Sequence, residues 1–371
     1  MTNNIYTQLA HHLDQLPAGY PATESGVELR ILRRLFTPEE AALCLKLTVL
    51  PEEARVVARR AGRPVAETAQ QLADMERKGL IYSQHTADGQ PRYGAAPFVV
   101  GIWEFQVNRL TPELIHDFEE YAPHLLAIWE KTPQLRTIPV GEAITADMHV
   151  MVYEQAEELV RAHEQITVAP CICRQERAMV GKGCGKPSET CLSFGSAAQF
   201  YQRNGLGRPI SQAEALDILQ TADEAGLVLQ PSNSQHASFI CCCCGDCCGV
   251  LRHLKQHPHP ATLIGSSFYA TVNAELCTMC GICEIRCQTD ALDLDNYVPQ
   301  VRLARCIGCG LCVSGCPSGA LSLVQKEEAE RPSVPATTIM THLQLGRARG
   351  KLKVRDLITM AVRSRVDRLL A

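Results

Sequence analysis

Eight cysteines fall into two runs of one spacing. Cys277, Cys280, Cys283 and Cys287 read C-x2-C-x2-C-x3-C, and Cys306, Cys309, Cys312 and Cys316 repeat it, with Pro317 closing the second copy. Thiolates are soft ligands, and four in so short a stretch suit a compact inorganic core. Three cysteines at i, i+3 and i+6 on a tight loop reach three irons of a 4Fe–4S cubane, and a fourth must approach from elsewhere. Gly281, Gly308 and Gly310 stand between the ligands, where a chain wrapping such a core needs permissive dihedrals. A zinc site calls for four ligands in paired sets, not two such runs. Disulfides fit secreted chains, and the polar stretch from Met1 to Leu16 has no charged-then-apolar leader pattern.

A second group is less regular. Cys171, Cys173, Cys184, Cys191, Cys241, Cys242, Cys243, Cys244, Cys247 and Cys248 all lie between the short strand expected at Ile166 to Ala169 and residue 250. One or two cysteines would serve as small buried hydrophobes. Six within eight residues exceed that role, because a turn cannot aim them all at one core. The ten predict a third metal site, read first as another iron–sulfur cluster. Zinc on four of them, a redox-active thiol set and plain structural cysteines are the alternatives. His253, His257 and His259 alternate with Pro258 and Pro260 and read as linker residues. Val180 and Pro187 spoil a phosphate loop around Gly181 to Lys186, and Ile210 stands where a dinucleotide fingerprint from Gly205 would need its third glycine.

The stretch from about 268 to 325 resembles the bacterial two-cluster ferredoxin domain. In that family the fourth cysteine of each run serves the other cluster. The resemblance therefore implies one cluster on Cys277, Cys280, Cys283 and Cys316, and a second on Cys306, Cys309, Cys312 and Cys287. Gln288 departs from the pattern, occupying the place that Pro317 takes in the second copy. No ligand is lost by it.

The supporting elements follow from caps and periodicity. Thr37, Pro38 and Glu40 start a helix running to about Leu47; a second extends from Pro51 to Gly62 and a third from Pro64 to Gly79. Ile81 to Ser83, a turn at Asp88-Gly89, and Arg92-Tyr93 make a hairpin. Three helices and a ribbon over residues 37 to 105 resemble winged helix-turn-helix domains of bacterial transcription factors. The reading helix implied by that resemblance carries Glu67, Asp74 and Glu76, which oppose phosphate, whereas Arg55, Arg59, Arg60 and Arg63 favour it. Helices are expected from Thr111, from Asp147 to Gln165 and from Ser211, where Glu214 completes a capping box. The basic tail, with Arg347, Arg349, Lys351, Lys353, Arg355, Arg363, Arg365 and Arg368, carries an apolar stripe of Val354, Leu357, Ile358, Ala361, Val362, Val366 and Leu369. It reads as a helix packed on its own protein, with docking on an acidic partner or anionic membrane as the alternative.

The expected fold is an α+β multidomain chain: a helical lead-in (1–36), a winged-helix-like domain (37–105), a cysteine-rich central α/β region (106–262), a ferredoxin-like two-cluster βαβ repeat (263–326), and a tether with basic helical tail (327–371). The 371 residues suit several domains, and 46% hydrophobic content supports packed cores. A net charge of −4 gives no general nucleic-acid signature, and no apolar run spans a bilayer. Nineteen cysteines indicate a reducing, cytoplasmic setting. These features predict an electron-transfer iron–sulfur protein, an accessory or subunit of an oxidoreductase system with a redox protein partner. A redox-responsive transcription regulator and an oxidoreductase with a central catalytic metal site are the rivals.

Overall fold

Thr37 caps its helix as its sequence context requires. The computed structural model describes residues 2–129, 133–145, 148–294, 298–351 and 354–371, and for residues 2, 3, 354 and 356–358 the backbone alone. The chain divides into two compact units, residues 1–129 with 342–371, and residues 130–341. In the first unit α1 (Thr2–Gln15) and α2 (Val27–Leu35) lead to α3 (Pro38–Cys44). Thr37 Oγ1 accepts from the Glu40 N–H at 3.2 Å, and the Glu40 carboxylate accepts from the Thr37 N–H at 2.9 Å, a complete capping box. Helix α4 (Ala54–Ala61) ends at Gly62, whose φ of 63° is the left-handed conformation glycine adopts freely. Helix α5 (Val65–Arg77) then precedes an antiparallel ribbon of β1 (Tyr82–His85) and β2 (Pro91–Gly94), to which Glu52 adds one bridge at Tyr93. Thr111 caps α6 (Pro112–Ala127).

The C-terminal helix (Val354–Leu370) packs on α4, but with a face other than the expected apolar stripe. Ala361, Val362, Val366 and Leu369 are exposed, while Ser364 and Asp367 are buried. Charge decides the orientation. Asp367 receives Arg59 at 2.8 Å and Arg60 at 2.6 Å, Arg60 also grips the buried Glu52 at 2.5 Å, and Ser364 donates to Glu52. Lys353, the side chains of Val354, Asp356, Leu357 and Ile358, and the helix start expected at Asp147 lie outside the described residues.

The second unit is built on one antiparallel sheet. Helix α7 (Ala156–Arg161), β3 (Ile166–Pro170), α8 (Ile172–Met179), β4 (Glu189–Phe194), α9 (Gly195–Arg203), β5 (Arg208–Ile210), α10 (Gln212–Glu224), β6 (Val228–Pro231) and β7 (Phe239–Cys243) succeed one another, and the strands order as β5-β3-β4-β7-β6. Sequence reasoning found β3, and also read Leu227 to Leu229 as a strand, which overlaps β6, but passed over β4, β5 and β7. The helix expected up to Gln165 is cut down to α7. Before it the chain runs irregularly, so that Glu154 accepts from Ser267 and Gln155 closes on the Val150 carbonyl. At α10 half the expected capping box forms: Ser211 accepts from the Glu214 N–H at 3.1 Å, while the Glu214 carboxylate pairs with Arg208 at 2.6 Å.

Helix α11 (Gly249–Gln256) replaces the first part of the expected link and carries His253. Then follow β8 (Phe268–Val272), α12 (Ile282–Arg286), β9 (Leu292–Asp293), β10 (Gln300–Val301), α13 (Leu311–Ser314) and β11 (Leu321–Gln325), with β8 paired to β11 and β9 to β10, both antiparallel. One continuous core joins Leu192, Phe194, Leu219 and Ile240 to Phe268, Leu292, Leu311 and Leu321. Arg286 fastens the two parts, meeting Asp223 of α10 at 2.7 Å and the Leu311 carbonyl at 2.6 Å.

The Arg60 network gives the first unit a test. Glu52→Ala strips the buried Arg60 guanidinium of one of its two carboxylate partners, leaving Asp367, and is expected to cost about 3 kcal/mol. Arg161→Ala, which breaks exposed pairs with Glu157 and Glu158, is expected to cost under about 1 kcal/mol. Urea denaturation of the full chain checks both.

Candidate metal centres

The two ferredoxin-type runs supply two groups of four thiols. Cys277, Cys280, Cys283 and Cys316 line one cavity with Leu294, Pro299 and Leu321. Cys283 lies in the first turn of α12, and Cys316 arrives after α13, so this fourth thiol comes from the other run. Conversely, Cys287 lies close enough to Cys306, Cys309 and Cys312 for its charge to raise all three. Burial is the larger cause at each, and it pushes Cys309 to about 12. Such protons must leave when a metal binds, so binding and pH are linked here.

The backbone around both groups suits soft, charged sulfur. Amide N–H groups of Met279, Ala291 and Ala270 point at Cys277, Cys287 and Cys306 from 3.4, 3.1 and 3.4 Å. Hydrogen bonds of this kind tune iron–sulfur potentials. Gly308, at a φ of 64°, lets the loop approach β8 so closely that a Cβ would fall 2.2 Å from the Phe268 carbonyl oxygen. The two groups differ in access. Cys280 is exposed and is flanked by exposed Leu276, Met279 and Ile285, the last 81% accessible, whereas Cys306 and Cys312 are buried.

The ten central cysteines divide rather than converge. Cys241 to Cys243 sit on β7, a strand, not in the turn expected for them, and side chains of a strand alternate between its faces. Cys242 accordingly faces the core, where burial raises its thiol. Six others form a chain of contacts. Cys171 touches Cys173, Cys173 touches Cys248, Cys248 touches Cys243, Cys243 touches Cys241, and Cys241 touches Cys191 across the β4–β7 pairing. Hydrogen bonding within the chain holds Cys171, Cys241 and Cys248 below the usual thiol range and Cys173 and Cys243 above it. Alternating acceptor and donor sulfurs explain that pattern. Cys184, Cys244 and Cys247 make a separate trio, with all three sulfurs within 4.8 Å of one another.

Arg174 lies between these sets and was missed by sequence reasoning, although it directly follows Cys173. It is buried, donating to the Cys242 carbonyl at 3.0 Å, to the Thr190 hydroxyl and to Cys244. No carboxylate is among these acceptors. Burial disfavours its charge, and the neighbouring sulfurs of Cys171, Cys243 and Cys244 more than restore it. Gln288 also has a place: its Oε1 accepts from the buried Gly245 N–H at 2.7 Å, joining the residue after Cys287 to the turn between Cys244 and Cys247.

A 4Fe-4S binding domain matches residues 270–293 and again 299–322. Residues 270–322 thus form a ferredoxin-like iron–sulfur domain of two adjacent repeats, and the chain is an iron–sulfur protein. Comparison with curated proteins and with solved structures gives no match. No helix among the described residues is long and apolar enough to cross a membrane.

Gln288→Ala should leave the Gly245 amide buried without its acceptor. Loss of about 1–3 kcal/mol is expected from such an orphaned group. A fall in the midpoint of chemical denaturation, absent in the control Gln300→Ala at an exposed position of β10, measures it.

Proposed function

We propose that this protein is an electron-transfer protein carrying two 4Fe–4S clusters, one on Cys277, Cys280, Cys283 and Cys316 and the other on Cys306, Cys309, Cys312 and Cys287. The two groups of four thiols, each completed by a cysteine of the opposite run, carry this reading. When bound, the clusters supply one-electron chemistry. The chain's own residues set access and direction. Exposed Leu276, Met279 and Ile285 beside Cys280 offer an apolar surface to a redox protein partner, while burial of Cys306 and Cys312 shields the inner group from solvent. The protein acts as an accessory or subunit of an oxidoreductase system.

Gln288 supports a second, more specific reading, in which the central thiols exchange electrons with the inner cluster. It hydrogen-bonds the Cys244–Cys247 turn directly from the residue that follows Cys287. On this reading the six-thiol chain from Cys171 to Cys191 holds a third iron–sulfur centre, and Arg174 offsets its negative charge. A regulator acting through DNA draws less support. The winged-helix reading of residues 37–105 rests on element order, and Arg59 and Arg60, two of the cations that would meet phosphate, are paired with Asp367.

Iron and acid-labile sulfide per chain, measured on protein purified without oxygen, test both readings. About eight of each are expected from the ferredoxin runs, and an excess over eight if the six-thiol chain also holds an iron–sulfur centre. Iron well below eight overturns the two-cluster reading; eight with no excess overturns the third centre. Cys287→Ser and Cys316→Ser are each expected to remove up to roughly half of the ferredoxin iron while the other cluster persists.

A further inference from the structure

We infer that Cys184, Cys244 and Cys247 hold a single thiophilic divalent ion of the zinc class, with a fourth coordination position open to an exogenous ligand. This site is independent of the six-thiol chain and of the ferredoxin clusters, and it does not rest on the electron-transfer reading.

Distance separates one ion from a cluster. In a cubane each thiolate binds its own iron, so the protein sulfurs stand far apart. Around one tetrahedral ion with metal–sulfur bonds of about 2.3 Å, the sulfurs stand about 3.8 Å apart. Cys184 Sγ and Cys244 Sγ are 3.7 Å apart, and Cys247 completes a triangle no wider than 4.8 Å. Spacing agrees with distance. Cys244-Gly245-Asp246-Cys247 is a C-x2-C turn, the paired unit of zinc sites, and Cys184 approaches it from the loop between α8 and β4.

Hydrogen-bond donors already reach two of the three sulfurs. The Cys247 N–H donates to the Cys244 sulfur and the Lys186 N–H to the Cys184 sulfur. Arg174 donates to Cys244 from the inner side. Three thiolates and one dication leave a single negative charge in a buried setting, and the Arg174 guanidinium stands beside it. Gln288 holds the Gly245 amide at 2.7 Å and so fixes the turn between two of the ligands, the outer-shell support that metal sites use. Cys244 and Cys247 are buried, whereas Cys184 is half-exposed on its loop, so the trio is reached from that side. Among the described residues the group offers three ligands, and three protein ligands with one open position are the arrangement of catalytic rather than structural zinc.

The test uses the full chain, purified without oxygen, with zinc, iron and sulfide measured together. About one zinc per chain is expected in the unaltered protein. Cys184→Ser and Cys247→Ser should each lower it at least tenfold while iron and sulfide stay unchanged. Should Cys247→Ser fail to fold, Cys184→Ser on the half-exposed loop decides the matter, with retained cluster absorbance as the folding control. Cobalt(II) exchanged into the site should give a thiolate-to-cobalt charge-transfer band, and imidazole should shift its ligand-field bands by occupying the fourth position. Absence of zinc, or loss of about four irons and four sulfides from either variant, overturns the single-ion site. Ligand-field bands that imidazole leaves unmoved overturn the open position.

Discussion

Alternation along β7 is the constraint to which the second unit answers. Cys241 and Cys243 project from one face and Cys242 from the other, so consecutive cysteines cannot share a centre. Cys242 is spent on the hydrophobic core, and its carbonyl holds Arg174. Only where the strand ends, at Cys244, does the chain turn and free its thiols from that rule. The strand thus delivers Cys241 and Cys243 to the six-thiol chain, and the turn delivers Cys244 and Cys247 to the trio.

Crowded sulfur brings a second difficulty, because each thiolate raises the cost of ionising its neighbours in a low dielectric. Among the central thiols the unit meets it with one buried arginine, and two half-buried ones bind its parts together. Arg174 stands among the central thiolates. Arg286 pairs with Asp223, and Arg305 donates to the carbonyls of Thr289, His257 and Lys255, binding the ferredoxin segment to α11. Guanidinium suits these places because it presents several donors in one plane and does not lose its charge. With the core continuous from Leu192 to Leu321, the ferredoxin segment and the central sheet form one folding unit.

Much of this was legible in the sequence where local chemistry dominates. Thr37 and Glu40 announce their capping box, Gly62 its helix end, and the two cysteine runs their metal chemistry. What was hidden depends on partners distant in sequence. No local signal shows that Asp367 would turn the C-terminal helix onto Arg59 and Arg60 and leave Val362 and Leu369 outside. Strand β7 was obscured because four consecutive cysteines carry no alternation of polarity, the signal by which a half-buried strand is read. The partition of the ten central cysteines followed from that omission.

Gln288 shows how a departure from a familial pattern acquires a physical reason. A proline there would stiffen the turn after Cys287 but offers no side-chain acceptor. Glutamine places a carbonyl oxygen on the Gly245 amide, in a space so close that a Cβ on Gly245 would lie 2.8 Å from the Gln288 backbone oxygen. Rigidity within the cysteine run is exchanged for a bond between it and the turn that carries Cys244 and Cys247. A ferredoxin that diffuses freely to its partner has no use for such a bond. One that shares a folding unit with a second set of thiols does, since the bond fixes the spacing between the two.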